Sequence, residues 1–190
     1  MEEYIQEFDN SIPDMLCDEI IQMFELEEDK YNGVIMSGLN PNVKDTKDFV
    51  IPQNDSKWNR IEKFLNEELQ RCLKIYINNI NEFKDEKLFV KALMIQKYQK
   101  QKGKYTVHND FHFEDNTYRV FTFIWYLNDV NIGGETSFWN GKQKIVPKKG
   151  KLVFFPSSWC YPHEGKMPIS NDKYILTNWF YSFMLHGSNA

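Results

Sequence analysis

Cysteine and histidine are both scarce in this chain, at three and four of 190 residues. Cys17, Cys72 and Cys160 are odd in number and far apart, which argues against a CxxC metal site and fits a reducing compartment. Each reads as a small buried apolar residue. Long apolar runs are missing, so no membrane span and no membrane partner are predicted. The opening residues Met1-Glu2-Glu3-Tyr4 carry neither a basic segment nor an apolar one, so no signal peptide is expected and the setting reads as soluble and cytoplasmic. Excess positive charge is missing too. At a net charge of -4, nothing global favours a nucleic-acid partner. Lysines do crowd at Lys97, Lys100, Lys102 and Lys104, and again from Lys142 to Lys151; solvated turns account for them, with a basic substrate groove as the other reading. Aromatic residues, by contrast, are plentiful. Fifteen Phe, ten Tyr and five Trp need a core, and 190 residues suffice for one domain spanning 1–190.

The chain changes character near its middle. Residues 1–85 read as mostly helical support. Leu16, Ile20, Met23 and Phe24 recur at helical spacing after Pro13-Asp14. A second stripe, Trp58, Ile61, Leu65, Leu69, Cys72, Leu73 and Tyr76, follows a cap at Asp55 or Ser56. Between them Asn32-Gly33 breaks the first pattern, and Val34 to Gln53 shows no periodicity, which predicts a long irregular loop. Residues 86–184 turn to β-branched and aromatic runs at 92–98, 119–127, 152–155 and 174–183, separated by Gly-containing turns. Val120 to Leu127 is apolar on both faces, so that strand needs cover on each side. The predicted fold is mainly β: a double-stranded β-helix, or jelly roll, backed by the N-terminal helices on one face.

His108 and Asp110 stand two apart, so on an extended segment their side chains leave the same face. Two imidazoles and a carboxylate can occupy one face of an octahedral iron and leave the other open. The second imidazole has two candidates. His112 continues the same alternation, while His163 lies far downstream. Lys173 shares its strand face with Ile175, Thr177 and Trp179. An inward lysine without an anion is costly, so it predicts a carboxylate ligand.

Tyr98, Gly103, Tyr105, His108 and Asp110 form a run that resembles the iron(II)/2-oxoglutarate-dependent oxygenases of the prolyl 4-hydroxylase-like branch. Gly133-Gly134-Glu135-Thr136-Ser137-Phe138, Lys149 to Pro156, and His163-Glu164-Gly165 followed by Pro168, Lys173-Tyr174 and Trp179 resemble further segments of that branch, in order, over about 92 to 183. The resemblance implies that His108, Asp110 and His163 bind Fe(II), and it sets His112 aside as a residue on the substrate side. It implies that Lys173, with Tyr98, Tyr126 and Thr177, holds 2-oxoglutarate. His186 reads as an inert tail residue.

The implied activity is a dioxygenase, an oxidoreductase that uses O2 and 2-oxoglutarate, with ascorbate as a possible reductant. It couples decarboxylation of 2-oxoglutarate to succinate with hydroxylation of an unactivated C–H. Asp110 favours hydroxylation, because related halogenases lack the carboxylate. A peptidyl proline is the first substrate reading, and a free amino acid or small metabolite the second. A non-catalytic metal-binding jelly-roll module is the alternative outside enzymology; such a module has no need of Lys173, Tyr98 and Tyr126. Expected substrate contacts are 34–50, Phe111 to Arg119, Trp159 and Tyr161.

Overall fold

The structure, a computed structural model, describes residues 4–78, 80, 83 and 86–184; His186 lies outside them. Helix α1 spans Asp14–Leu26 and α2 spans Asn59–Ile77. Leu16, Cys17, Ile20 and Phe24 form the buried stripe of α1. Its end is capped by Lys30, whose ammonium donates to the carbonyls of Phe24, Glu25 and Glu27. The second helix begins slightly later than the Asp55-Ser56 pattern predicts. Asp55 still organises its entry, since its carbonyl accepts from the Trp58 and Asn59 amides and its carboxylate from the Lys57 amide at 2.8 Å.

The strands are β1 (Gln6–Phe8), β2 (Tyr31–Asn32), β3 (Lys44–Asp45), β4 (Lys47–Val50), β5 (Phe89–Val90), β6 (Met94–Tyr98) and β7 (Lys104–His108). They continue as β8 (Phe113–Glu114), β9 (Thr117–Tyr126), β10 (Thr136–Phe138), β11 (Gln143–Ile145), β12 (Leu152–Pro156), β13 (His163–Gly165) and β14 (Lys173–Phe183). The larger sheet runs β1-β12-β9-β14-β6-β4-β2, with β5 beside β14 and β8 beside β9. The smaller runs β11-β10-β13-β7-β3. Neighbours in both sheets are antiparallel.

Strand β9 shows why the aromatic run is continuous. Phe121, Phe123 and Trp125 enter a core with Phe24, Leu65 and Leu69 from the helices and Trp58 from the entry to α2. Ile124 and Tyr126, on the opposite face, join Phe138 and Ile145 from the smaller sheet. Helices therefore cover one face of the larger sheet and the smaller sheet covers the other. Each large apolar side chain buried this way contributes about 1.5–3 kcal/mol.

Two expectations need correction. Residues 1–85 supply four strands besides the two helices, and the segment 34–53 is not irregular throughout, since β3 and β4 lie within it. These strands are two to four residues long and carry Lys and Asp. Their order comes from pairing with distant β7 and β6, which local composition does not encode. Several of the clustered lysines meet surface acids: Lys97 pairs with Glu25 and Asp172, Lys149 with Asp18 and Lys151 with Glu7. Cys17 and Cys72 are buried free thiols, pushed up to about 12 mainly by burial, and so are inert. Among the described residues, no helix is long and apolar enough to cross a membrane.

Candidate active site

Antiparallel register brings the distant histidines together. His108, at the end of β7, is the direct partner of His163, at the start of β13, and their rings lie 4.3 Å apart. Asp110, just past β7, sits between them: its Oδ1 is 3.7 Å from His108 Nε2 and its Oδ2 3.5 Å from His163 Nε2. One ligand atom from each residue falls within 4.8 Å of the others.

The surroundings fix how each side chain presents itself. His108 Nδ1 lies 2.8 Å from the Thr106 carbonyl and His163 Nδ1 lies 3.0 Å from the Tyr161 carbonyl. A carbonyl only accepts, so both Nδ1 atoms carry the proton and both Nε2 lone pairs face Asp110. Burial and the neighbouring His163 push the His108 pKa down to about 4, which keeps it neutral. Burial alone raises the pKa of Asp110. The two imidazoles and the Thr122 hydroxyl, which donates to Oδ2 at 2.8 Å, outweigh burial and hold the carboxyl below its usual range. Thr122 in turn accepts from Ser157 at 2.8 Å. Two imidazoles presenting Nε2 and an anionic carboxylate, with convergent ligand atoms, fit a divalent metal of the Fe(II) type.

Lys173 stands across the cavity, at the start of β14. It is 1% exposed, donates to the Gly134 carbonyl at 2.9 Å and lies 3.8 Å above the Tyr98 ring. Gly133 and Gly134 both adopt positive φ, +74° and +76°, and this turn delivers that carbonyl. No carboxylate among the described residues pairs with Lys173, and burial pushes its pKa down to about 7. It is a buried amine awaiting an anion. The cavity between triad and lysine is about 600 Å³, ample for a five-carbon dicarboxylate.

The folded pKa of Lys173 lies below its ordinary 10.5, so the unfolded chain binds the extra proton between pH 7 and 10.5. Stability is therefore fully present above the ordinary pKa and lost as pH falls toward 7. Lys173→Met removes this term. Its stability advantage over wild type in urea melts is expected to be several kcal/mol at pH 7, on the order of the shift, and to shrink toward pH 10. A pH-independent difference would show that Lys173 is not a desolvated amine.

The other predicted residues fall as follows. Tyr98 is buried against the cavity and donates to Gln96 Oε1 at 3.3 Å. Thr177 faces the cavity, with its hydroxyl on the Phe123 carbonyl at 2.7 Å. Tyr126 lies deeper, its hydroxyl 2.6 Å from Thr136 Oγ1, and it is Thr136 that lines the cavity. His112 lines the cavity outside the cluster of three. Val34 to Ser37, Phe111 and Arg119 line it as well. Trp159 is exposed at 70%, and Tyr161 packs in the inner core.

Sequence reading missed Gln96 and Thr122 in the cavity wall, and reached Lys44 and Asp48 only as part of the segment 34–50. Thr122 left one signal, a lone hydroxyl on the inward face of an apolar strand. Tyr105 was noticed only within a motif, yet its ring stacks on His108 at 3.5 Å.

Residues 93–181 match the 2OG-Fe(II) oxygenase superfamily. Fold, cavity and match agree: over this stretch, just under half of the chain, the protein is similar to that superfamily of oxidoreductases. It is prolyl 4-hydroxylase-like. A protein of Acanthamoeba polyphaga mimivirus, described as "Putative prolyl 4-hydroxylase", is 28% identical over 90% of this chain and 71% of its own length. The viral collagen prolyl hydroxylase of Paramecium bursaria Chlorella virus-1, solved with 2OG, superposes with a TM-score of 0.70 at 22% identity, covering 94% of this chain and 96% of that one. A Trichoplax adhaerens prolyl hydroxylase, solved with a hypoxia inducible factor peptide fragment, gives 0.77 at 21% identity, covering 95% and 84%. The match implies Fe(II), 2-oxoglutarate and O2 as the reaction's partners.

Proposed function

We propose that the chain hydroxylates a prolyl residue in a peptide, with residues 1–190 acting as one oxygenase domain on a double-stranded β-helix. His108, Asp110 and His163 hold Fe(II), and Lys173 anchors the distal carboxylate of 2-oxoglutarate. The observation that carries this reading is the buried, unpaired Lys173 across one cavity from three convergent ligand atoms. A metal-binding scaffold without turnover has no use for that lysine.

Bound iron and 2-oxoglutarate supply oxygen activation coupled to formation of succinate and carbon dioxide. The protein's residues bind, orient and shield. Thr106 and Tyr161 carbonyls keep the imidazoles in the liganding tautomer. Thr122 aims Asp110, and Tyr98 supports Lys173 from below. Thr177 narrows the same wall, while Tyr126 acts at one remove by fixing the Thr136 hydroxyl.

A peptide substrate is supported by the relatives' names and by the cavity mouth. Val34, Met36 and Phe111 line it and are exposed at 51%, 88% and 45%, an apolar rim wider than a free amino acid requires. Beside the triad, the Arg119 guanidinium stacks 3.4 Å over Trp179 and its buried Nε has no partner among the described residues. That donor suits a peptide carbonyl, and the indole edge suits a pyrrolidine ring. Three free cysteines fit a reducing, cytoplasmic setting.

The test is turnover with Fe(II), 2-oxoglutarate and ascorbate, with and without proline-containing peptides. Peptide-stimulated succinate and a 16 Da gain on proline, on the order of one oxygen atom, are expected. Stimulation by free amino acids alone would replace the peptide reading, and no succinate under any condition would end the enzymatic one.

A further inference from the structure

The segment Lys44–Val50 crosses from one sheet to the other. β3 pairs with β7 in the smaller sheet and β4 with β6 in the larger, with Thr46 alone between them. Strand β7 ends at His108 and β6 at Tyr98, so the crossing ties the metal side of the cavity to the co-substrate side.

A buried ion pair closes it. Lys44 Nζ lies 2.6 Å from Asp48 Oδ2, and Thr46 Oγ1 donates to Asp48 Oδ1 at 2.7 Å. Lys44 is 5% exposed and Asp48 1%, and both line the cavity. On the co-substrate side, Gln96 Nε2 reaches Asp48 Oδ2 at 3.5 Å while Gln96 Oε1 accepts from the Tyr98 hydroxyl. On the metal side, Lys44 Nζ sits 5.3 Å from the centre of the Tyr105 ring, which stacks on His108. The packing is close: a Cβ on Gly33 would come within 2.1 Å of Thr46 Oγ1 and 2.9 Å of Lys44 Cε.

Two buried charges are a poor source of stability, because desolvation offsets their attraction and an apolar pair of similar volume does as well. Fixed geometry is what such a pair supplies. His108 and His163 are partners within one sheet, whereas Tyr98 and Lys173 are partners within the other. A dicarboxylate spanning metal and lysine is sensitive to the separation of the sheets. We propose that Lys44 and Asp48 are positioning residues that set this separation, acting through Tyr105 on one side and through Gln96 and Tyr98 on the other. The inference rests on the proposed roles of the triad and Lys173.

The experiment compares wild type, the double variant Lys44→Met/Asp48→Leu and the uncharged perturbation Gly33→Ala, each titrated with Mn(II) and then with 2-oxoglutarate. The double variant is expected to melt within about 5 °C of wild type. It should keep its Mn(II) affinity, because the β7–β13 register sets the ligand spacing. Its 2-oxoglutarate affinity should fall roughly tenfold, with a matching rise in KM, and succinate should form in excess of hydroxylated product. Gly33→Ala should move the same readouts in the same direction, and it carries the test if the double variant does not fold. Lower melting temperatures with unaltered 2-oxoglutarate affinity would make the pair merely structural and overturn the proposal. Equal losses of Mn(II) and 2-oxoglutarate would also overturn it, by placing the effect on the ligands themselves. A wild type that binds Mn(II) but not 2-oxoglutarate would instead defeat the underlying reading of Lys173.

Discussion

Asp110→Ala is expected to lower Fe(II) or Mn(II) affinity by more than about a hundredfold and to abolish succinate formation. The magnitude follows from rank: losing a group that merely orients a ligand costs about ten- to a hundredfold, and Asp110 is itself placed as a ligand. It also contributes the only negative charge in the three-residue cluster, since an imidazole carries none. The fold should survive. Asp110 lies beyond the end of β7, and its one side-chain hydroxyl partner, Thr122, keeps its bond to Ser157. Leaving that hydroxyl short of an acceptor costs about 1–3 kcal/mol at most, a few degrees in melting temperature. Paired Mn(II) titrations and thermal melts check both halves. Metal binding at wild-type strength would remove Asp110 from the ligand set, and global unfolding would make it structural.

The triad was legible because its signal is local. A two-residue spacing on an extended segment shares a face whatever the tertiary fold, and His108 and Asp110 obey it. The choice between His112 and His163 was not local. It depended on the flanking pattern, and physically it depends on β7–β13 pairing, which joins residues more than fifty positions apart. The helices were readable from their stripes, and the β9 core from its two-sided apolarity. Parity placed Lys173, Ile175, Thr177 and Trp179 on one face, and all four line the cavity. Parity gives direction without depth, however. Tyr126 points inward, yet its hydroxyl ends on Thr136 rather than at the cavity surface.

The crossing segment was illegible for a different reason. Lys44, Thr46 and Asp48 look like a solvated turn in sequence, since lysine and aspartate are seldom buried unless paired. Their burial is a product of pairing with β6 and β7, which no local window contains. Residues that hold two sheets in register are therefore the part of this site most easily overlooked.

Lys173→Ala is expected to weaken 2-oxoglutarate binding by at least about thirtyfold, the lower end of the 2–5 kcal/mol lost on truncating one partner of a buried charge pair. Mn(II) affinity should stay within experimental error, because Lys173 lies in the other sheet and touches no member of the triad. The pH dependence separates a charge from a packing effect. In wild type the free amine titrates near 7, and a bound carboxylate requires the ammonium form. Affinity should therefore be greatest below pH 7 and fall about tenfold per pH unit above it, as binding must draw in a proton. The alanine variant has no such proton to take up, and its weak affinity should be flat across the same range. Calorimetric titrations at pH 6, 7, 8 and 9, on the order of one unit apart around that pKa, would show the two profiles converging as the amine loses its charge. Parallel profiles would mean that the co-substrate carboxylate is recognised by groups other than Lys173.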